Sequence, residues 1–312
     1  LAAGSGGMLL ASAAVCGAGV ALVQGIFPGV LKRQFPQHVA PMMGLYSAAL
    51  MGGGALGAQW SPLSMQLGLG WQAALAQWAL PVLLALPLAW TALRTQGEAS
   101  SASVSAVGSN GSATNWLLRR PRTWLLMACF GLVNGGYASA VAWLAPYYQG
   151  HGMSAIASGS LVAIMAVAQA CAALLLPLLA ARGGPDYRPW LWLTLAGQAI
   201  GFALLAWWPD AAPRTMAVVL GAGLGGCFAL SLVAALDHLP QPMHAGALSA
   251  LMQGGGFVLA ALAPWAVARL HEASGGFRAG WIMHLGSVAL VTLLVAQLAP
   301  QRYAQAMRAP AA

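Results

Sequence analysis

The sequence predicts an all-α integral membrane protein with nine spanning helices, built from two related helical halves. Three observations carry that expectation. The 312 residues are 60% hydrophobic and only 6% charged, with a mean hydropathy of +0.74, whereas a soluble domain carries about 25% charged residues. Nine stretches free of Asp, Glu, Lys and Arg each approach the ~20 residues that cross a bilayer as a helix. They are 8–30, 41–62, 72–93, 123–147, 155–180, 190–208, 215–236, 246–268 and 280–299. Finally, the phrase Gly44-Leu-Tyr-Ser-Ala-Ala-Leu-Met-Gly-Gly-Gly-Ala-Leu-Gly-Ala58 returns, altered, 202 residues later as Gly246-Ala-Leu-Ser-Ala-Leu-Met-Gln-Gly-Gly-Gly-Phe-Val-Leu-Ala260. That spacing is too wide for a solenoid unit and fits a duplicated half.

The span interiors are rich in Leu, Ala, Val and Gly and do not alternate apolar with polar residues, so they are helices and not barrel strands. The first three spans end at a segment of different character. Residues 95–121 contain the run Glu98-Ala-Ser-Ser-Ala-Ser-Val-Ser-Ala-Val-Gly-Ser-Asn-Gly-Ser-Ala-Thr-Asn115. It is small and polar, cannot bury a core, and is expected to be a flexible linker. Within it, Asn110-Gly-Ser112 has the spacing of a glycosylation acceptor, but it falls on the side assigned below to the cytoplasm.

Six spans follow the linker. Spans two and three align with spans eight and nine: Pro62 matches Pro264, and Gly70-Trp71 opens span three as Gly280-Trp281 opens span nine. Span one ends in Phe35-Pro36-Gln37 and span seven in Leu239-Pro240-Gln241. The first three spans therefore pair with the last three, and spans four to six lack partners. Equivalent halves would place three further helices before Leu1, a residue that is not an initiator Met. The chain divides into 1–94 (the last three helices of a first half), the cytoplasmic linker 95–121, a complete second half at 122–300, and a tail at 301–312.

The net charge of +8 and pI near 10.0 do not point to nucleic acid, because Lys and Arg in excess mark cytoplasmic loops. With the loop at 31–40 inside, ten basic residues lie inside (Lys32, Arg33, Arg94, Arg119, Arg120, Arg122, Arg182, Arg188, Arg302, Arg308). Three lie outside (Arg214, Arg269, Arg278). The carboxyl end is thus expected in the cytoplasm, with the lipid bilayer as the main partner. Cys16, Cys129, Cys171 and Cys227 each stand alone inside a span without metal-ligand spacing, and read as small packing residues. No cofactor or metal site is expected.

Several phrases together resemble the cyanate permease / nitroimidazole-transporter-like group of the major facilitator superfamily. They are Phe27-Pro-Gly-Val-Leu-Lys-Arg-Gln-Phe-Pro36, Met43-Gly-Leu-Tyr-Ser47, Leu69-Gly-Trp-Gln72, Ala142-Trp-Leu-Ala-Pro146 and Met252-Gln-Gly-Gly-Gly-Phe257. Leu270-His-Glu-Ala-Ser-Gly275 is similar to a Leu-His-Asp-Ala-Thr-Gly phrase of that group, with Glu272 in place of Asp. The resemblance covers nearly the whole chain. It implies two six-helix halves, here without the first three helices. It also implies a monomer in the bacterial inner membrane that moves a small polar or anionic solute by alternating access. A proton or counter-ion as coupling partner stays open.

The resemblance also implies which helices line the cavity: spans 8–30, 41–62, 123–147, 155–180, 215–236 and 246–268. Full charges are absent from all nine stretches, so neutral polar groups are the candidates, each costly in hydrocarbon without a partner or wet cavity. Asn134 and Tyr137, three apart, are expected on one helix face beside Gly135-Gly136. Gln253 stands where the repeat has Met51, an asymmetry that suggests substrate contact. Gln169, Gln24 and Tyr46 complete the proposed substrate-binding set, Tyr46 near a gate. Trp143 and His284 read as structural. The loop Ala181-Arg-Gly-Gly-Pro-Asp-Tyr-Arg188 is a degenerate form of the superfamily's Gly-rich Asp-Arg loop, and Lys32, Arg33, Asp186 and Arg188 are the candidates for a cytoplasmic gate.

Gly221-Ala-Gly-Leu-Gly-Gly226 fits the dinucleotide pattern literally, but it lies inside a span and lacks the strand that pattern requires. Small residues four apart favour close helix packing instead. No P-loop, nucleophile elbow or pair of catalytic carboxylates is present, so an enzyme is not expected. Two other readings stay open at this point: a transport-inactive remnant of such a transporter, and, more distantly, a membrane enzyme or scaffold.

Overall fold

The structure is a computed structural model that describes residues 6–97 and 110–307. Its long helices are α1 (Gly6–Gln34), α2 (Val39–Gln66), α4 (Ala79–Gly97), α6 (Pro121–Gly150), α7 (Ala155–Ala180), α8 (Arg188–Trp207), α9 (Pro213–Asp237), α10 (Pro242–Ser274) and α11 (Arg278–Val295). Short helices α3 (Trp71–Ala76), α5 (Asn110–Leu118) and α12 (Tyr303–Ala306) complete the order. Nine segments among the described residues are long and apolar enough to cross a membrane, and they coincide with the nine expected from sequence.

Two boundaries differ from expectation. Span 72–93 is broken at Gln77–Trp78 into α3 and α4. Pro81 explains the break: it has no N–H and its ring would clash with the carbonyl of Gln77, four residues back. That carbonyl instead accepts from the N–H of Leu80 at 3.0 Å. The break is tied to α2: Trp60 Nε1 donates to Gln77 Oε1 at 3.0 Å, Gln77 Nε2 to Ser64 Oγ at 2.9 Å, and Trp78 Nε1 to Ser61 Oγ at 2.9 Å. The expected flexible linker is also helical over Asn110–Leu118, while residues 98–109 lie outside the described residues.

Local signals set the other ends. Proline occupies the first turn of α6, α8, α9 and α10, where its missing N–H would have no helical partner anyway. Ser154 Oγ caps α7 by accepting from the Ala157 N–H at 3.2 Å. Gly275 ends α10 at φ 72°, a left-handed conformation that suits glycine.

The second half, α6 to α11, packs around α9, which is buried over nearly its whole length. The glycines that mimic a nucleotide motif are the reason. Gly221 meets the backbone of Met165 and Gly225 that of Gln169, so α7 crosses α9 at residues four apart. On the opposite face, a Cβ at Gly223 would stand 2.6 Å from the Thr194 carbonyl of α8. Helices that associate in lipid do so largely through such close backbone approach. Cys129 and Cys227 are buried in this core, but Cys16 and Cys171 are exposed on the helix bundle, so the packing role holds for only two of the four.

Candidate functional site

The two halves meet at the end of the bundle that carries Lys32. On α1, residues 6–23 are all exposed, and burial begins at Gln24, recurring at Pro28 and Leu31 along one face. That face lies against α10. A Cβ on Gly25 would touch the Ala250 Cβ at 3.7 Å, and one on Gly29 would stand 3.1 Å from the Gly246 Cα. The second crossing is α2 on α7, where a Cβ at Gly44 would meet the carbonyls of Ala173 and Leu174 at 3.1 Å. Further along, Gly53 and Gly54 of α2 and Gly254 of α10 are exposed with open space beside them. The halves thus touch at these two crossings, and the α1–α10 contact ends at the buried Gln24 and Gln253, the floor of the interface.

This floor is polar and uncharged. Gln253 Nε2 donates across the halves to the backbone carbonyl of Gln24 at 3.0 Å, with Ser249 Oγ at 3.4 Å. That arrangement leaves Gln253 Oε1 buried without a partner, and Gln24 Oε1 is buried without one too. On α2, the Tyr46 ring stacks on Phe27 of α1 at 5.1 Å, and the hydroxyls of Tyr46 and Ser47 are likewise buried and unpartnered. Buried polar groups are nearly always hydrogen-bonded in native proteins. These four orphans lie on α1, α2 and α10, the helices that carry the contacts between the halves.

Below the floor lies a charged closure. Lys32 Nζ donates to the carbonyls of Leu236 and Leu239, the latter at 2.8 Å. It thereby caps the carboxyl end of α9, where free carbonyls and the helix dipole favour a cation. Asp237 stands within Coulomb range of Lys32. The tail closes over the same end: Tyr303 stacks on the buried His238 ring at 3.7 Å. Burial drives the His238 imidazole down to about 4 and the Tyr303 phenol up to about 12.

The sequence-derived candidates separate in the structure. Gln24 and Gln253 come together, and Tyr46 stacks on Phe27, three residues along α1 from Gln24. Asn134 and Tyr137 differ in burial. Asn134 is buried and its Nδ2 donates to the Phe130 carbonyl of its own helix at 2.8 Å. It faces an apolar cavity of about 20 Å³ inside the second half, lined also by Cys129, Cys227 and Met252. Tyr137, by contrast, is 40% exposed. Residues three apart diverge by about 60° around a helix, and here the core edge falls between them.

Gln169 is buried at the α7–α9 crossing. Of the gate set, Lys32 crosses to the other half and Arg33 is exposed. Asp186 and Arg188 pair with each other at 2.7 Å, within one loop and not between halves. The Arg188 guanidinium holds the Asp186 carboxyl below the usual carboxylate range. Trp143 Nε1 donates to the Pro264 carbonyl at 3.0 Å, tying α6 to α10. His284 stacks on Phe202 at 5.1 Å. Sequence reasoning missed Ser47, Ser249 and Asp237. The two serines coincide in the repeat, and Asp237 is a lone carboxylate ending an apolar span, so both signals were available.

Residues 1–264 match the family model of the Major Facilitator Superfamily. The chain belongs to the major facilitator superfamily. Over 298 residues it is 43% identical to the cyanate transport protein CynX of Escherichia coli (strain K12), covering 96% of this chain and 75% of that protein. It is 32% identical over 290 residues to a 2-nitroimidazole transporter of the same organism, covering 93% and 71%. An uncharacterized transporter of Bacillus subtilis (strain 168), YycB, is 26% identical over 261 residues, covering 83% and 63%. The protein is thus a membrane transporter and not an enzyme.

Proposed function

We propose that Gln24, Tyr46 and Gln253 form the solute site of an alternating-access transporter whose solute is a small polar or anionic molecule of the cyanate kind. The observation that carries the reading is the bond from Gln253 to Gln24 across the halves, with the amide oxygens of both left buried and unpartnered. Tyr137, exposed beyond the floor, joins them from the second half. Asn134 and Gln169 support the site from within the packed core. The similarity to proteins named for cyanate and 2-nitroimidazole points to small, planar, weakly acidic solutes.

In this reading residues 1–94 belong to one half and 122–300 to the other. The Lys32 end is cytoplasmic, as the excess of Lys and Arg there favours, which also places the carboxyl end in the cytoplasm. The membrane is the bacterial inner membrane, and one copy suffices. The conformation is then closed to the cytoplasm and open to the outside. Transport proceeds when the solute binds at the floor, the outer ends of the halves close, and Lys32 leaves the end of α9. Smooth glycine faces at Gly29, Gly44 and Gly246 let the halves separate without unlocking side chains.

The test is uptake of labelled cyanate into proteoliposomes holding the full-length protein. Gln24→Ala and Gln253→Ala are each expected to lower the initial rate about tenfold or more with membrane abundance unchanged. Asn134→Ala, whose amide is committed to Phe130, is expected to lower it less. Wild-type rates in both glutamine variants would remove the binding assignment.

A further inference from the structure

We infer that this site takes its solute as the neutral conjugate acid, bearing an N–H or O–H, and not as the anion. The inference rests on the site proposed above and names the form in which a weak acid occupies it. The orientation of Gln253 is the starting point. Its Nε2 is committed to the Gln24 carbonyl at 3.0 Å, with Ser249 Oγ at 3.4 Å. Turning the amide over would set Oε1 against the Gln24 carbonyl oxygen, lone pair against lone pair. The atom left free is therefore an acceptor, Gln253 Oε1. The free hydroxyls of Tyr46 and Ser47 can each donate or accept.

An anion fits this set badly. It has no proton to give the Gln253 amide oxygen, and it faces the negative end of that carbonyl dipole. Burying it without a cation carries the full desolvation penalty. Charged groups on the surrounding helices do not offset that penalty. On α1, Lys32 lies two turns away and is engaged by Leu236 and Leu239. On α2, Tyr46 is the titratable group, and α7 has only Cys171, which is exposed. On α9, Arg214 and Asp237 stand at opposite ends, with the buried Cys227 between them. On α10, His244 lies near the start, and Arg269, His271 and Glu272 cluster at the far end. A neutral acid does fit. Its N–H or O–H donates to Gln253 Oε1, the bond that the anion cannot make.

The proton then travels on the solute. In the water on one side an anion and a proton combine to the acid, the acid crosses, and the same proton is released on the other side. One proton moves with each anion, and no protein side chain has to carry it.

The experiment is equilibrium dialysis of the purified full-length protein with 2-nitroimidazole and a second nitroazole of different acidity. Each azole's ionisation is measured by absorbance in the same buffers, from about pH 5.5 to about pH 9. Below an azole's ionisation the apparent Kd should be flat. Above it, Kd should rise about tenfold per pH unit, with the break moving with the azole. The N-methyl derivative, which has no N–H, should bind about tenfold weaker or worse at every pH. Tighter binding as the azole ionises, or equal binding of the N-methyl derivative, overturns the inference. The site itself fails on different results: no binding at any pH, or binding untouched by Gln24→Ala and Gln253→Leu. Binding lost in those variants while the wild type prefers the anion would leave the site standing and sink only the neutral form.

Discussion

Replacing Gly246 with leucine should shift this protein away from the conformation in which the halves meet at the Lys32 end. A Cβ at Gly246 would lie 2.9 Å from the Gly29 Cα, whereas carbon atoms in comfortable contact sit about 3.5–4.0 Å apart. Alanine alone asks α1 and α10 to part by most of an ångström, and leucine adds three more carbons. The atom in the way is backbone, which has no rotamer to change. Overpacking of this kind costs about 1–3 kcal/mol. The cost falls only on the closed arrangement, because separated halves leave the glycine face free. The equilibrium should therefore move by about 5- to 150-fold. Spin labels at Arg33 and Gln241, both exposed, report the change as a distance distribution once the exposed Cys16 and Cys171 are replaced by serine. The short-distance population should shrink in Gly246→Leu, and Gly246→Ala should show the same direction more weakly. Gly53→Leu is the control, since a Cβ there meets nothing within 4 Å. Identical distributions for the Gly246 and Gly53 variants, at equal yield, would refute the crossing as the closure.

Lys32→Met should loosen the same end by removing two charge-assisted bonds to α9, each worth about 1.5–3 kcal/mol at most and less for a side chain only partly buried; the same pair of labels should show a larger open fraction, and an unchanged one would assign the closure to packing alone. The docked tail should depend on acid. Burial lowers the His238 imidazole from 6.5 to about 4, so its contribution is fully present above pH 6.5 and is lost as pH falls from there toward 4, by up to about 3 kcal/mol. Hydrogen exchange over 298–307, corrected for intrinsic rate, should rise across that window in the wild type and stay flat in His238→Phe; equal behaviour of the two would exclude the stack as the cause.

Much of the architecture was legible because lipid leaves few alternatives. A stretch such as 155–180, without charge and with no period-two alternation, has only the helix available to satisfy its backbone, and α7 covers those same residues. The break in the third span was less visible, since it depends on Pro81 acting one turn upstream and on Trp60 and Ser64 of another helix. The site was legible in residue type but not in direction. Gln253 stood out because its repeat partner is Met51, a contrast that survives any rotation of the helix. Asn134 and Tyr137 were grouped by spacing alone, and a 60° difference in azimuth put one in the core and left the other exposed. Asp186 and Arg188 show a similar limit: opposite charges two residues apart can satisfy each other locally, and a sequence pattern does not reveal that they have done so.

The repeated phrase separates what the two halves share from what they do not. Its first glycine does the same work twice: Gly44 lets α2 approach α7, and Gly246 lets α10 approach α1, so each half supplies one smooth crossing to the other. Its serines, Ser47 and Ser249, bring a hydroxyl to the same level in both. The triplets then diverge. Gly52, Gly53 and Gly54 have open space beside them, whereas Gly255 and Gly256 pack against Met127 and Phe130, which locks α10 to α6. With α10 held by α6, the two copies of the phrase differ in polar groups at two positions, Gln253 against Met51 and Tyr46 against Leu248. The glycines that open both crossings are shared by the two copies, whereas Gln253 and Tyr46, the residues proposed to meet the solute, are not.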